Sequence, residues 1–281
     1  MQRELRDDDR RDKADASPVT AADYAAQACV AWALRRVWWF TATARTKARY
    51  ARTFLGSFWL GLSNVLSIAA LALVYGTVFR VQDFNAYVVF LGTGLVVWNA
   101  ISAAISSAPN LFEHNHAHLH NTNLHPVFYS LEEWAFQVQT FGQSFLLVLL
   151  ALSWYQHDLL LHLLTAAWLP LLNLLLFIYW LPLLVCLLGS RYRDLYQLVP
   201  IVLQLVFLLS PILYEKKNLG HLAWTADLNP LYRVISPLRH ALIQGDARWG
   251  MDLGLLAVNL LGVLWAIYWL NRERRHLPFL I

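Results

Sequence analysis

The chain has 281 residues, 58% of them hydrophobic and 14% charged, with a formal net charge of +4 and a mean hydropathy of +0.43. A soluble domain carries roughly 25% charged and about 45–50% apolar residues, so this composition excludes an ordinary soluble fold and points to an integral membrane protein built of helices. Its two cysteines, Cys29 and Cys186, lie far apart with no spacing pattern, which excludes a disulfide framework.

Residues 1–20 alternate acidic and basic groups without an apolar centre. They read as a solvated cytoplasmic tail rather than a signal peptide. Residues 21–55 mix aromatics with arginines, and Val30, Leu34, Val37 and Trp38 recur at helical spacing beside Arg35 and Arg36. That pattern suits either an amphipathic helix in the membrane surface or the first turns of a span. A transmembrane domain follows over 56–270, with six predicted spans near 56–79, 86–108, 134–155, 160–188, 197–214 and 251–270. Pro109 is expected to close the second span, and Pro170 or Pro182 to kink the fourth. A basic tail, 271–281, ends the chain.

Charge distribution orients the spans. Eleven Lys/Arg precede the first span, and Arg191, Arg193, Arg272, Arg274 and Arg275 fall on the same side of a six-span topology. The positive-inside rule then puts both termini in the cytoplasm. The outer side keeps six, five of them in residues 215–249, which suggests a segment folded against the membrane rather than a bare loop.

Five of the ten histidines, His114, His116, His118, His120 and His125, crowd a loop between spans two and three. On a helix they would form i,i+4 pairs able to hold zinc with Glu113, Glu132 or Glu133 as a third ligand. The surrounding Asn and Thr fix no geometry, so the favoured reading is a polar cytoplasmic loop that rests on a partner, with no metal site. Asn64, Asn99, Asn173, Gln204, Ser210 and Asn259 lie inside apolar runs, where they either line a hydrated path or join helices by hydrogen bonds. No acid or base is read deep within a span, which argues against ion-coupled transport. No phosphate-loop motif is present, so any nucleotide must be bound by a partner. Adjacent Glu132 and Glu133 point about 100° apart on a helix and make a poor catalytic pair. No catalytic residue is assigned.

Four segments together resemble the permease subunit of ABC transporters that export bacterial surface polysaccharides: O-antigen, capsule and teichoic acid. "KARYARTFLGSFW" (47–59) is similar to that family's basic approach to the first span, through Arg49, Tyr50, Leu55, Gly56 and Trp59. "GSRYRDLYQLVP" (189–200) resembles its cytoplasmic turn between spans four and five. "LLSPILY" (208–214) and "LNPLYRVISPLR" (228–239) resemble the end of its fifth span and its outer segment. The likeness covers about Arg35 to Leu270.

The resemblance implies an all-α membrane fold of six spans, an N-terminal interface helix and short re-entrant periplasmic helices between spans five and six. It also implies a homodimer working with two ATP-binding cassette subunits, which bind the ATP and magnesium; the chain itself is no enzyme, holds no cofactor and binds no nucleic acid. The expected cargo is a lipid-linked polysaccharide, O-antigen first. Arg45, Arg49, Tyr50 and Arg52 would meet its anionic head group, or else serve as plain positive-inside anchors. Trp59, Tyr75, Phe79 and Trp98 would line a sugar path, or else anchor the membrane interface. Glu113, His114, His116, His118, His120, Arg191, Arg193 and Asp194 would face the ATPase, although residues 109–133 lack the Lys and Arg usual there. Tyr214, Asn229, Pro230 and Tyr232 would stand at the periplasmic exit. Export of capsule, a drug or a small lipid by the same fold, a glycan-modifying membrane enzyme, and a membrane scaffold are the rival readings.

Overall fold

A computed structural model describes Cys29 and residues 33–78, 80–115 and 125–273 of the chain. Among the described residues the protein is all helical, with no strand. In chain order the helices are α1 (Arg35–Tyr50), α2 (Phe58–Val78), α3 (Phe84–Ser107), α4 (Leu111–His114), α5 (Val127–Leu152), α6 (Leu159–Thr165), α7 (Trp168–Arg191), α8 (Leu195–Leu209), α9 (Ala223–Leu228), α10 (Pro230–Gln244) and α11 (Trp249–Glu273). Short 3₁₀ turns at Ala108–Asn110 and Lys216–Leu222 join α3 to α4 and lead into α9.

Helix α3 is the axis of the bundle, buried almost continuously from Tyr87 to Trp98 and again at Ile101, Ala104 and Ile105. Asp83 starts it by accepting the Ala86 backbone N–H at 3.0 Å, an N-cap that satisfies one of the free donors of the first turn. Around α3 pack α2, α5, α7, α8 and α10. Helices α2 and α11 are peripheral. On α2 the buried residues are Gly61, Ile68, Ala72 and Gly76, one narrow stripe, while Leu66, Leu73, Val74 and Val78 are exposed. On α11, Leu253, Val258, Leu261, Leu264 and Trp265 are exposed. Such outward apolar faces suit hydrocarbon, which solvates them as well as a core would.

Five helices are long and apolar enough to cross a membrane: α2, α3 with its continuation to His114, α5, α7 and α11. The predicted fifth span, 197–214, is a helix of only 15 residues. At 1.5 Å per residue it reaches about 22 Å, short of the roughly 30 Å hydrocarbon core. Helix α8 stops because Ser210 turns to extended backbone (ψ 135°) ahead of Pro211.

Pro109 does not close the second span. It sits at the start of the 3₁₀ turn, where its missing N–H is harmless, and helical structure runs on to His114. The predicted fourth span divides at Ala166–Ala167 into α6 and α7. Pro170 accordingly lies in the first turn of α7, and Pro182 in its interior.

Candidate functional site

Two arginines mark the two regions of interest: Arg45, tied through Glu133 to Ser107 at the C-terminal end of α3, and Arg239, against Phe90 and Gly94 in its N-terminal half. At the Arg45 end, α1 lies along α5 and buries Ala42 and Thr46 there. The Arg45 guanidinium pairs with Glu133 of α5 at 2.5 Å and lies 4.3 Å from the Phe136 ring centroid. Arg49 approaches the same ring at 5.8 Å. Glu133 is buried, and its second oxygen accepts from Ser107 of α3 at 3.0 Å and from Gln137 at 2.8 Å. One carboxylate thus ties three helices. Trp38, Trp134 and Tyr179 extend the contact as an edge-to-face ladder from α1 through α5 to α7, with centroids 6.2 Å apart at each step.

The same end gathers Glu113, His114 and the turn between α7 and α8. Tyr196, in the first turn of α8, stands close enough to Glu113 to feel its charge, and Arg193 acts on the same tyrosine. Arg191, Arg193 and Asp194 are exposed. Arg45, Ser107, Asn110, His114, Tyr129 and Glu132 line a cavity of about 520 Å³ beside them. The resemblance assigned these segments to one ATPase-facing surface; the fold sets Glu113 near Tyr196, two residues beyond the Arg191–Asp194 turn. His116, His118 and His120 lie outside the described residues, as does Phe79. Among the described residues no cluster of three metal-ligating side chains occurs.

Asn64, Asn99, Asn173 and Asn259, predicted inside the apolar runs, are hydrogen-bonded between helices. Asn99 of α3 donates to Asn64 of α2 at 2.6 Å, and Asn64 donates to Ser144 of α5 at 2.5 Å. On the other side of the bundle, Asn259 of α11 donates to the Asn173 side-chain oxygen at 3.2 Å and accepts from Trp180 at 3.0 Å. Asn173 in turn donates to the Asp252 carbonyl at 2.9 Å. Gln204 differs, being exposed on α8. Of the predicted path aromatics, Trp98 is buried against Phe207 of α8 with centroids 5.4 Å apart, Tyr75 is half-buried against the main core, and Trp59 is exposed.

At the Arg239 end, the sequence "NPLY" supplies structure before anything else. Asn229 caps α10, its side-chain oxygen accepting from Leu231 and Tyr232 backbone N–H groups at 3.0 and 3.4 Å, and Pro230 takes the first helical position. Asn229 also donates to Ser210 at 2.6 Å, which joins the end of α8 to the start of α10. Tyr214 bonds back to the Leu208 carbonyl at 3.0 Å, and Tyr232 is buried. The last turn of α10 is held from outside: His162 meets the Leu242 carbonyl at 2.8 Å and Gln156 donates to that of Ile243 at 2.7 Å. Gly245 closes it with φ 69°, against the His162 ring. His240, on the same helix, has its pKa held below the usual histidine value, first by burial and then by Arg248, which approaches its Nδ1 at 3.3 Å.

Two residues that sequence reasoning passed over stand out. Glu133 appeared there as a spare zinc ligand and as half of a poor catalytic pair, yet it shares a helical face with Gln137, Phe141, Ser144 and Val148. Arg239 was counted as an outer charge and is 5% exposed. It falls on the stripe of Leu231, Ile235, Leu238 and Leu242, so the 3.6-residue period placed it inside.

Long apolar helices joined by buried polar links, with apolar faces turned outward, define a multi-pass membrane protein. The sequence model of the ABC-2 type transporter family matches residues 41–243, most of the chain, so the protein belongs to that family: it is the transmembrane subunit of an ABC exporter, which works with ATP-binding cassette subunits. No curated protein matches the chain by sequence.

Proposed function

We propose that the chain is the permease of an exporter that moves a lipid-linked polysaccharide, O-antigen before capsule, from the cytoplasm across a bacterial inner membrane as a homodimer with two ATPase subunits. In this reading α8 and the turn after it make a sixth, short span, and α9 and α10 dip into the membrane from the periplasm. Both termini and the Arg45 end face the cytoplasm, and α1 lies in the interface there. Its exposed Val37, Trp39 and Phe40 support that position, as do Lys47 and Arg49 in its last turn.

The observation that carries the reading is the meeting of Glu113 with Tyr196. Together with the packing of Gly189 on Pro109, it brings the segment at Glu113 beside the Arg191–Asp194 turn. A cytoplasmic ATPase can press on both at once. Among the basic residues, Arg49 and Arg52 remain exposed to receive an anionic head group. Arg45 is engaged by Glu133, so its part is to hold α1 in place.

The test is copurification from native membranes in mild detergent. The expected result is a stoichiometric partner with a phosphate loop, together with loss of surface polysaccharide when the chain is deleted. An intact preparation with no ATPase, or a deletion strain with normal surface glycan, would overturn the function or the cargo respectively.

A further inference from the structure

The segment Ser210–Tyr214 is a turn, yet Ser210, Pro211, Ile212 and Leu213 are all buried. A buried turn has no ladder to satisfy its backbone and depends on side chains from elsewhere. Here the tethers come from three directions. Tyr87 of α3 donates to the Leu213 carbonyl at 2.8 Å, Asn229 holds the Ser210 hydroxyl, and Arg239 of α10 donates through Nη2 to the Pro211 carbonyl at 3.1 Å.

Arg239 is the unusual member. Its guanidinium lies 3.9 Å from the Phe90 ring centroid and 5.8 Å from that of Tyr232. Glu215 and the Tyr232 hydroxyl act on it electrostatically. Glu215 nevertheless spends its carboxylate on Lys217 at 2.6 Å, and Arg239 Nη1 is buried with no hydrogen-bond partner. Nη1 faces the backbone of α3 at Gly94, where an added Cβ would sit 3.1 Å from it. A buried cation with no carboxylate paired to it carries a desolvation penalty that the Pro211 carbonyl, the Phe90 and Tyr232 rings and the Tyr232 hydroxyl only partly offset, since Nη1 stays unpartnered. If the turn lifts away, the tethers break but the guanidinium regains water. The two opposing terms keep the closed and open arrangements near in free energy, as a movable element requires.

We propose that the 210–214 turn is a bistable gate at the Arg239 end of the permease, and that Arg239 is the positioning residue that latches it. The proposal rests on the exporter reading above, in which this end is the exit. It predicts an inversion that a purely structural arginine would not produce. Arg239→Ala removes the tether and opens the gate, whereas Arg239→Met removes the penalty, fills the volume with apolar atoms and keeps the gate shut.

The experiment uses the full chain in right-side-out native membrane vesicles, with Cys29 and Cys186 replaced by Ser and a reporter at Ile212→Cys or Leu213→Cys. The readout is the rate of reaction with a membrane-impermeant maleimide. Arg239→Ala should speed labelling on the order of tenfold, the effect of losing one charged hydrogen bond. Arg239→Met should label more slowly than the parent and export less, with bound ATPase still hydrolysing ATP. Arg239→Lys, which keeps charge but loses the fork, should resemble Arg239→Ala and guards against misfolding of the smaller variant. Equal labelling in all four proteins, or faster labelling in Arg239→Met, overturns the gate. Labelling is read without nucleotide as well, so a failure to copurify an ATPase would strike the exporter reading and leave this result to stand by itself.

Discussion

Each end of the bundle uses an arginine to fix a helix, and the two are held in opposite ways. Arg45 keeps 47% of its side chain accessible and meets a buried carboxylate, which two further donors also satisfy. Arg239 is almost wholly buried; a backbone carbonyl, two aromatic rings and the Tyr232 hydroxyl surround it, Glu215 acts on it without pairing, and one N–H stays idle. The backbone follows the same division. At the Arg45 end Gly189 of α7 approaches Pro109 so closely that a Cβ would lie 2.8 Å from its Cα. At the Arg239 end the corresponding neighbour of Gly94 is the tip of the Arg239 side chain, which can yield. A braced end and a yielding end fit a machine driven at one end and opening at the other.

Paired glycine substitutions probe that contrast most strongly. Gly189→Ala should cost about 3 kcal/mol, because backbone at Pro109 cannot move aside without shifting the 3₁₀ turn. Gly94→Ala should cost less, about 1 kcal/mol, and Gly254→Ala, which points into open space, should be neutral or slightly stabilising. Thermal unfolding in detergent measures all three, and equal losses at Gly189 and Gly94 would erase the distinction between the ends. Next in size is Glu133. Glu133→Ala strands the Ser107 and Gln137 donors and should cost about 2 kcal/mol, while half-exposed Arg45 recovers water and adds little. Glu133→Gln keeps hydrogen bonding and should cost about 1 kcal/mol or less; a loss as large as for alanine would assign the stability to charge alone.

Hydropathy made the helical class and five of the spans legible, since apolar runs of about 20 residues have few other uses. The shorter α8 was not legible, because the apolar run continues past Ser210 into Pro211–Leu213 while the backbone does not stay helical. The break before α7 was hidden in the same way: Ala166 and Ala167 are as apolar as their neighbours. At the site level, spacing put Glu113 and the 191–194 turn on one side, but chain order alone gave no reason for Tyr196 to reach Glu113. Arg45 and Glu133 are 88 residues apart, and nothing short-range announces such a pair. Arg239 was readable by helical period, but counting it with the other four cations of 215–249 as an outer charge concealed its burial. Charge counting and periodicity disagreed there, and periodicity was right because one cation could stack on Phe90.

The smallest effect concerns how α10 is joined to the turn it helps to hold. Asn229 does two things with one amide: its oxygen caps α10 and its nitrogen donates to Ser210. Asn229→Asp keeps the cap, since a carboxylate accepts the same backbone N–H groups and complements the helix dipole. It loses only the donor, although the Ser210 hydroxyl can turn to donate to the new carboxylate instead of to the Val206 carbonyl, to which it now donates at 2.6 Å. Asn229→Ala loses both functions. The expected losses are about 1.5 kcal/mol for alanine and about 0.5 kcal/mol for aspartate. If the yielding end is tuned as argued, labelling at Ile212→Cys should rise for alanine and hardly change for aspartate, with Arg239 intact in both. A rise as large for aspartate would mean that the amide donor, rather than the arginine, holds the turn closed.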